Sequence, residues 1–109
     1  MLLAAPEHFN IASVTFDYES MKINITWDPP EKPNGIIIGY QLKISIVNQA
    51  EVQHQTWLSP NEKQYQYPVP VLCRNYVVQI ASATAAAMAP FVSAEIKASS
   101  PGIGVNLSP

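Results

Sequence analysis

The residues of this 109-residue chain that could carry chemistry are two histidines, one cysteine and eight carboxylates. His8 and His54 lie far apart, with no Cys pair near either. A structural zinc site draws four ligands from closely spaced Cys and His residues, so no metal is expected here. The acidic residues Glu7, Asp17, Glu19, Asp28, Glu31, Glu51, Glu62 and Glu95 fall mostly on turn-rich segments or outward phases. Paired catalytic carboxylates need a fixed separation across a cleft, and this scatter reads instead as solvated surface charge. No nucleophile elbow and no phosphate-cradling Gly loop occurs. Cys73 is alone, so no disulfide can close within the chain. It reads as a packed small hydrophobe, with Arg74 the one neighbour that would favour a thiolate. The expectation is a chain with no catalytic residue and no cofactor.

Two further sites concern modification. Asn24-Ile25-Thr26 and Asn106-Leu107-Ser108 are N-glycosylation sequons. Asn24 alternates with the apolar Ile23 and Ile25, so it is expected to point outward, as a glycan requires. Asn106 is followed closely by Pro109.

Composition narrows the classes. Charged residues are only 13% of the chain, against about a quarter in ordinary globular domains. The surface must therefore be finished by Ser, Thr, Asn, Gln and Pro, which suits contact with neighbouring protein. Net charge is −2 with no Lys/Arg cluster, so neither a nucleic-acid footprint nor a polybasic membrane patch is expected. An apolar fraction of 48% is enough to build a core, and the length suits one domain. The opening Met1-Leu2-Leu3-Ala4-Ala5 is too short for a signal peptide or a membrane span. A piece cut from a longer protein is the expected origin.

The elements that must position these residues are strands. Met21, Ile23, Ile25 and Trp27 alternate with Lys22, Asn24 and Thr26; Tyr40, Leu42, Ile44 and Ile46 alternate with Gln41, Lys43 and Ser45. Tyr76, Val78 and Ile80 do the same with Val77, Gln79 and Ala81. Period-two alternation marks strands with one face on a core. Turn residues separate the runs: Asp28-Pro29-Pro30 through Asn34-Gly35, and Ser59-Pro60-Asn61-Glu62. The spacing predicts strands near 8–16, 21–28, 37–47, 51–58, 64–69, 74–84 and 92–98. The Ala-rich run from Ala81 to Ala89 has helical propensity, but Ser82, Thr84 and Pro90 interrupt it, and it reads as a strand end followed by a loop. Seven such strands predict an all-β, immunoglobulin-like Greek-key sandwich. Residues 99–109, rich in Ser, Gly and Pro, read as a linker or C-terminal tail.

Trp27-Asp28-Pro29-Pro30, followed by Asn34-Gly35 and Gly39-Tyr40-Gln41-Leu42, resembles the second-to-third-strand region of fibronectin type III domains. Tyr76-Val77-Val78-Gln79-Ile80 resembles that family's sixth strand, whose Tyr forms a corner by bonding back to upstream backbone. Pro6 matches the Pro before the first strand, and Ser93 the Ser that opens the last. The resemblance covers residues 6–98. Where the family has Leu-x-Pro before the corner Tyr, this chain has Pro70-Val71-Leu72, and the loop before the last strand reads Ala85-Ala86-Ala87-Met88-Ala89-Pro90-Phe91. Neither Arg-Gly-Asp nor Trp-Ser-x-Trp-Ser occurs.

The resemblance implies a non-catalytic structural and protein-recognition module of a modular extracellular protein. The host class it implies is a cell-surface adhesion, guidance or signalling receptor, of which the Roundabout receptors of axon guidance are one example. The alternative is an accessory module of a secreted enzyme or of an intracellular muscle-type scaffold. The implied partners are adjacent domains of the same chain, another protein or a second copy in a weak homodimer, with membrane attachment only through the parent receptor. The expected contact surface is the outward phase of the 74–84 strand with the loop beyond it: Val77, Gln79, Ala81, Met88 and Phe91.

Overall fold

The computed structural model describes residues 5–7, 9–49 and 51–99. His8, Asn106 and the tail from residue 100 onward lie outside the described residues, as does Ala50. The strands are β1 (Ile11–Asp17), β2 (Lys22–Trp27), β3 (Ile37–Ile46), β4 (Val52–Leu58), β5 (Gln64–Pro68), β6 (Arg74–Thr84) and β7 (Val92–Ala98). These are the seven runs the alternation predicts, and the largest shift is at β1, which begins at Ile11. Among the described residues there is no helix, and so none long and apolar enough to cross a membrane.

The turns form where the sequence places its breakers. Asn34 and Gly35 both take positive φ, 55° and 146°, conformations that cost Asn and Gly least. The Ala-rich segment does not become helix. β6 continues to Thr84, whose amide donates to Ala87 O at 2.9 Å and whose hydroxyl accepts from the amides of Ala86 and Ala87. The chain then doubles back, and Ala89 N donates to Ser82 O at 2.9 Å.

The strands make two antiparallel sheets, β1-β2-β5 and β4-β3-β6-β7. In constant-type immunoglobulin domains the fourth strand pairs with the fifth; here β4 pairs with β3, so the larger sheet has four strands. β3 and β6 are the central strands of that sheet, with Leu42 opposite Ile80 and Ile44 opposite Val78. All four side chains are fully buried, as are Ile23 and Ile25 of β2 in the facing sheet. Met21, in the turn before β2, packs half-buried against the same core.

Aromatic rings close both ends of this core. At one end Tyr40 lies between Phe9, at 5.5 Å, and Trp27, at 5.7 Å between centroids. At the other, Tyr67 packs edge-on to Tyr76 at 6.4 Å and beside His54 at 5.3 Å. His54 of β4 also meets Tyr65 of β5, with Nε2 and the phenol oxygen 2.7 Å apart. That contact ties the edge strands of the two sheets together.

The corner tyrosine forms despite the exchanged Pro and Leu. The Tyr76 hydroxyl donates to Val71 O at 2.7 Å and accepts from Val71 N at 3.3 Å. The phenol needs only backbone groups at the right place, and these persist when Pro70 and Leu72 trade positions. Tyr76→Phe removes both bonds and is expected to lower stability by about 1 kcal/mol, read as a shift in urea midpoint at unchanged slope; an unshifted midpoint would show that the corner contributes nothing.

A second expectation concerns alkaline pH. Burial raises the Tyr40 phenol above its ordinary value of 10.0. Burial also raises Tyr67, and the nearby Tyr76 and Tyr65, which would become like charges, raise it further. The unfolded chain therefore loses these protons first, and proton linkage then favours it. The contribution is intact below pH 10.0 and is lost as pH rises through the raised folded values. Denaturation midpoints across an alkaline series should fall in that window, and Tyr67→Phe should flatten the fall.

Candidate functional site

The outward face of the four-stranded sheet carries the side chains that could meet a partner, and its shape follows from residue size. Gly39 of β3 sits opposite Ala83 of β6, and Ala83 is bridged in turn to Met88. On the other side, the Trp57 indole of β4 lies over Gly39: a Cβ built there would sit 3.7 Å from Trp57 Cε3 and 2.7 Å from Leu58 O. Two small residues thus lie side by side on this face, Gly39 beneath the Trp57 indole and Ala83 beside Met88.

Beside Gly39 the chain enters β3 through a bulge. Ile37 pairs with Thr84 and Gly39 with Ala83, so Ile38 is the extra residue. An extra residue in one strand kinks it and re-aims side chains. Ile36 and Ile38 line a shallow apolar depression with Ala85 and Ala86. Exposure is 84% at Ile36, 54% at Ile38, 57% at Trp57 and 44% at Met88. Exposed apolar side chains gathered at one end of a domain are a feature that interaction surfaces commonly share.

This surface differs from the one the alternation pattern points to. Val77 and Gln79 are half-buried on the outward phase, and Met88 is exposed. Ala81, however, is fully buried and Ala83 nearly so, which corrects the expectation of an exposed small-residue strand. Their phase is outward as predicted, but a methyl group is overtopped by longer neighbours. Gln41 stands beside Ala81 in register, and Phe91 follows on the other side, one residue before the Val92–Ile80 pair. Phe91 is half-buried, and Lys43 Nζ lies 4.5 Å from its ring centroid, a cation–π contact.

Sequence reasoning misses Trp57, Ile36 and Ile38. Two signals point to them. Trp57 has the opposite phase to Leu58 within its run, and Ile36-Ile37-Ile38 is a consecutive apolar triplet that cannot all face one core.

Cys73 requires a second correction. It is exposed rather than packed. It holds a positive φ of 61°, and its amide donates to Ala98 O at 2.6 Å. The left-handed backbone needed to enter β6 turns the thiol to solvent. Asn24 lies on the outer phase of β2 between Thr15 and Gln66, half-buried, with Oδ1 shielded and without a hydrogen-bond partner. Its sequon partner Thr26 shares a 2.6 Å hydrogen bond with Ser13 Oγ. His54 is occupied by Tyr65, and among the described residues no group of His, Cys, Asp and Glu is arranged to hold a metal.

The class defined by this architecture is the seven-stranded all-β sandwich, a kind of fold that usually performs no catalysis. Solved structures agree. One, from a computer-based redesign of a β-sandwich protein, superposes with a TM-score of 0.68 at 18% identity, over 92% of this chain and 94% of that one. Another, described as a myokine structure, gives 0.63 at 12% identity, over 91% of this chain and 100% of that one. No family model matches. In sequence, 77 residues, 71% of the chain, are 31% identical to the phosphatidylinositol phosphatase PTPRQ of Rattus norvegicus. The match takes in 3% of that protein's length. These likenesses fit a fibronectin type III-like domain.

The close packing at this position depends on glycine. In Gly39→Ala the new Cβ would meet the Leu58 carbonyl at 2.7 Å, so backbone must move. The expected cost is about 1–3 kcal/mol, with altered Trp57 fluorescence as the indole is lifted; a variant of unchanged stability and spectrum would contradict the packing described.

Proposed function

We propose that this chain is a fibronectin type III module, spanning residues 6–98 with residues 99–109 as a linker, which positions and recognises protein and has no catalytic role. Its setting is a modular extracellular protein, and its finer reading is a cell-surface adhesion, guidance or signalling receptor. Three observations support the family: the Trp27-to-Leu42 motif, the corner bond from Tyr76 to Val71, and the partial identity to PTPRQ. The extracellular setting is supported by the last of these and by the Asn24 sequon. Attachment to a membrane would come through the parent protein, and the sequons at Asn24 and Asn106 would carry glycans there.

The observation that carries the recognition role is the exposed apolar surface of Ile36, Ile38, Trp57 and Met88. Its place in the fold suggests the partner. Asn34 Nδ2 donates to Ala5 O at 2.8 Å, and Glu7 bridges Lys32. The N-terminal side of the module is therefore pinned beside Ile36, within reach of a domain linked on that side. Burying such a surface against a neighbouring domain would fix the angle between the two.

Ile36→Asp with Met88→Asp tests this. Both positions are exposed, so the isolated module should keep its stability within about 0.5 kcal/mol. In a longer parent chain that includes a preceding domain, small-angle scattering should show a wider spread of interdomain distances. An unchanged distribution would remove the surface from this role.

A further inference from the structure

We propose that the outer face of the β1-β2-β5 sheet is a glycan-bearing face: an N-linked glycan on Asn24 covers it and directs protein contact to the larger sheet. The proposal rests on the extracellular setting argued above, and adds which side of the sandwich a partner can reach.

The chemistry of this face follows from register. Residues paired directly across antiparallel strands point to the same side of the sheet, so the outer face reads as rows. Ser13, Thr26 and Gln64 make one row, and Thr15, Asn24 and Gln66 the next. Both rows consist of uncharged hydroxyls and carboxamides, groups that donate and accept hydrogen bonds, as sugar hydroxyls do. Asp17, Lys22 and Pro68 end the face, with the two opposite charges in register. Among the described residues, no exposed large apolar side chain lies on it. Protein interfaces draw on aromatic and apolar anchors. The larger sheet and its loops supply these in Ile36, Ile38, Trp57 and Met88, and the smaller sheet does not.

Asn24 stands at the centre of the face. β2 is the middle strand of its sheet, and neighbouring strands lie about 4.8 Å to either side. The first sugars on Asn24 therefore reach Thr15 on one side and Gln66 on the other. The side chain is half-buried with Oδ1 shielded and unpartnered, whereas Nδ2, the atom that takes the sugar, is not among the shielded, unpartnered atoms. The sequon is Asn24-Ile25-Thr26. The donor is a lipid-diphosphate-linked oligosaccharide of the secretory pathway. Its anomeric carbon forms a bond to Nδ2, the bond from that carbon to the diphosphate oxygen breaks, Nδ2 loses one proton, and the lipid diphosphate leaves with the electron pair. Transfer precedes strand pairing, so the 2.6 Å hydrogen bond between Thr26 and Ser13 does not compete with it. The fold has only to leave Nδ2 room.

The full chain, expressed behind a secretory leader in a eukaryotic host, tests this against the same chain made without glycan in a bacterial cytosol. The leader supplies the secretory route, so failure here concerns the site; the extracellular setting is read separately, from the location of the parent protein. Peptide mapping should find a glycan on Asn24, lost in Asn24→Gln and Thr26→Ala, and kept in Thr26→Ser and Asn106→Gln. A dissolved neutral gadolinium chelate speeds the relaxation of exposed amide protons. The glycan should reduce that effect at Ser13, Thr15, Gln64 and Gln66 and leave it unchanged at Ile36, Trp57 and Met88. An unmodified Asn24 would overturn the proposal, whether mapped on secreted or on retained chain. So would a glycan that leaves Thr15 and Gln66 as accessible as before, or one that shields Trp57 and Met88 equally.

Discussion

Among the described residues the two sheets share no backbone ladder, so their union rests on side chains. Trp27 of β2 and Tyr40 of β3 come from opposite sheets and meet with ring centroids 5.7 Å apart. Phe9 stacks on the far side of Tyr40. Large aromatic side chains bury the most area per residue and add a geometric preference of their own. Their contact sets how far apart the sheets stand at that end, and the aliphatic layer of Ile23, Ile25, Leu42, Ile44, Val78 and Ile80 fills the space so defined. Trp27 Nε1 is buried there without a hydrogen-bond partner. An unpaired buried donor costs about 1–3 kcal/mol, which this end of the core offsets through burial.

The same constraint explains the outer surface. Because the inward phase of β3 and β6 is committed to the core, their outward phase must finish the sheet. It does so with Gly39 and Ala83 at one end and with Gln41, Lys43, Val77 and Gln79 along the middle. Small residues let Trp57 lie down across the sheet, and Lys43 covers Phe91 in the same way. Apart from Trp57 of β4, the apolar surface that remains open at this end belongs to the bulge and the loops beside it, where neither strand phase nor core demand fixes the side chain.

The strand pattern of this chain was legible because one face of each strand is buried and the period is two. β2, β3 and β6 read clearly for that reason, and the Ala-rich run after Ala81 resolved correctly because Ser82, Thr84 and Pro90 break helical continuity. Cys73 did not read correctly. Its type predicts burial on average, but its backbone angle is set by the reversal into β6, a demand that leaves no trace in neighbouring residues. Ala81 failed differently: phase predicts direction, whereas exposure depends on the height of neighbours contributed by β3 and by the loop before β7.

The sequence by itself determined the strands, their phase, the core residues and the turn at Asn34-Gly35, since each of these is a local consequence of alternation and backbone preference. The corner bond of Tyr76 was also within its reach, because donor and acceptor lie five residues apart in one segment. Only the tertiary structure decided which strands became edges, that Trp57 covers Gly39, and that Ile36, Ile38 and Met88 share one end of the sheet. Those facts depend on pairing between residues distant in the chain, and single-strand periodicity carries no information about which strand lies beside which.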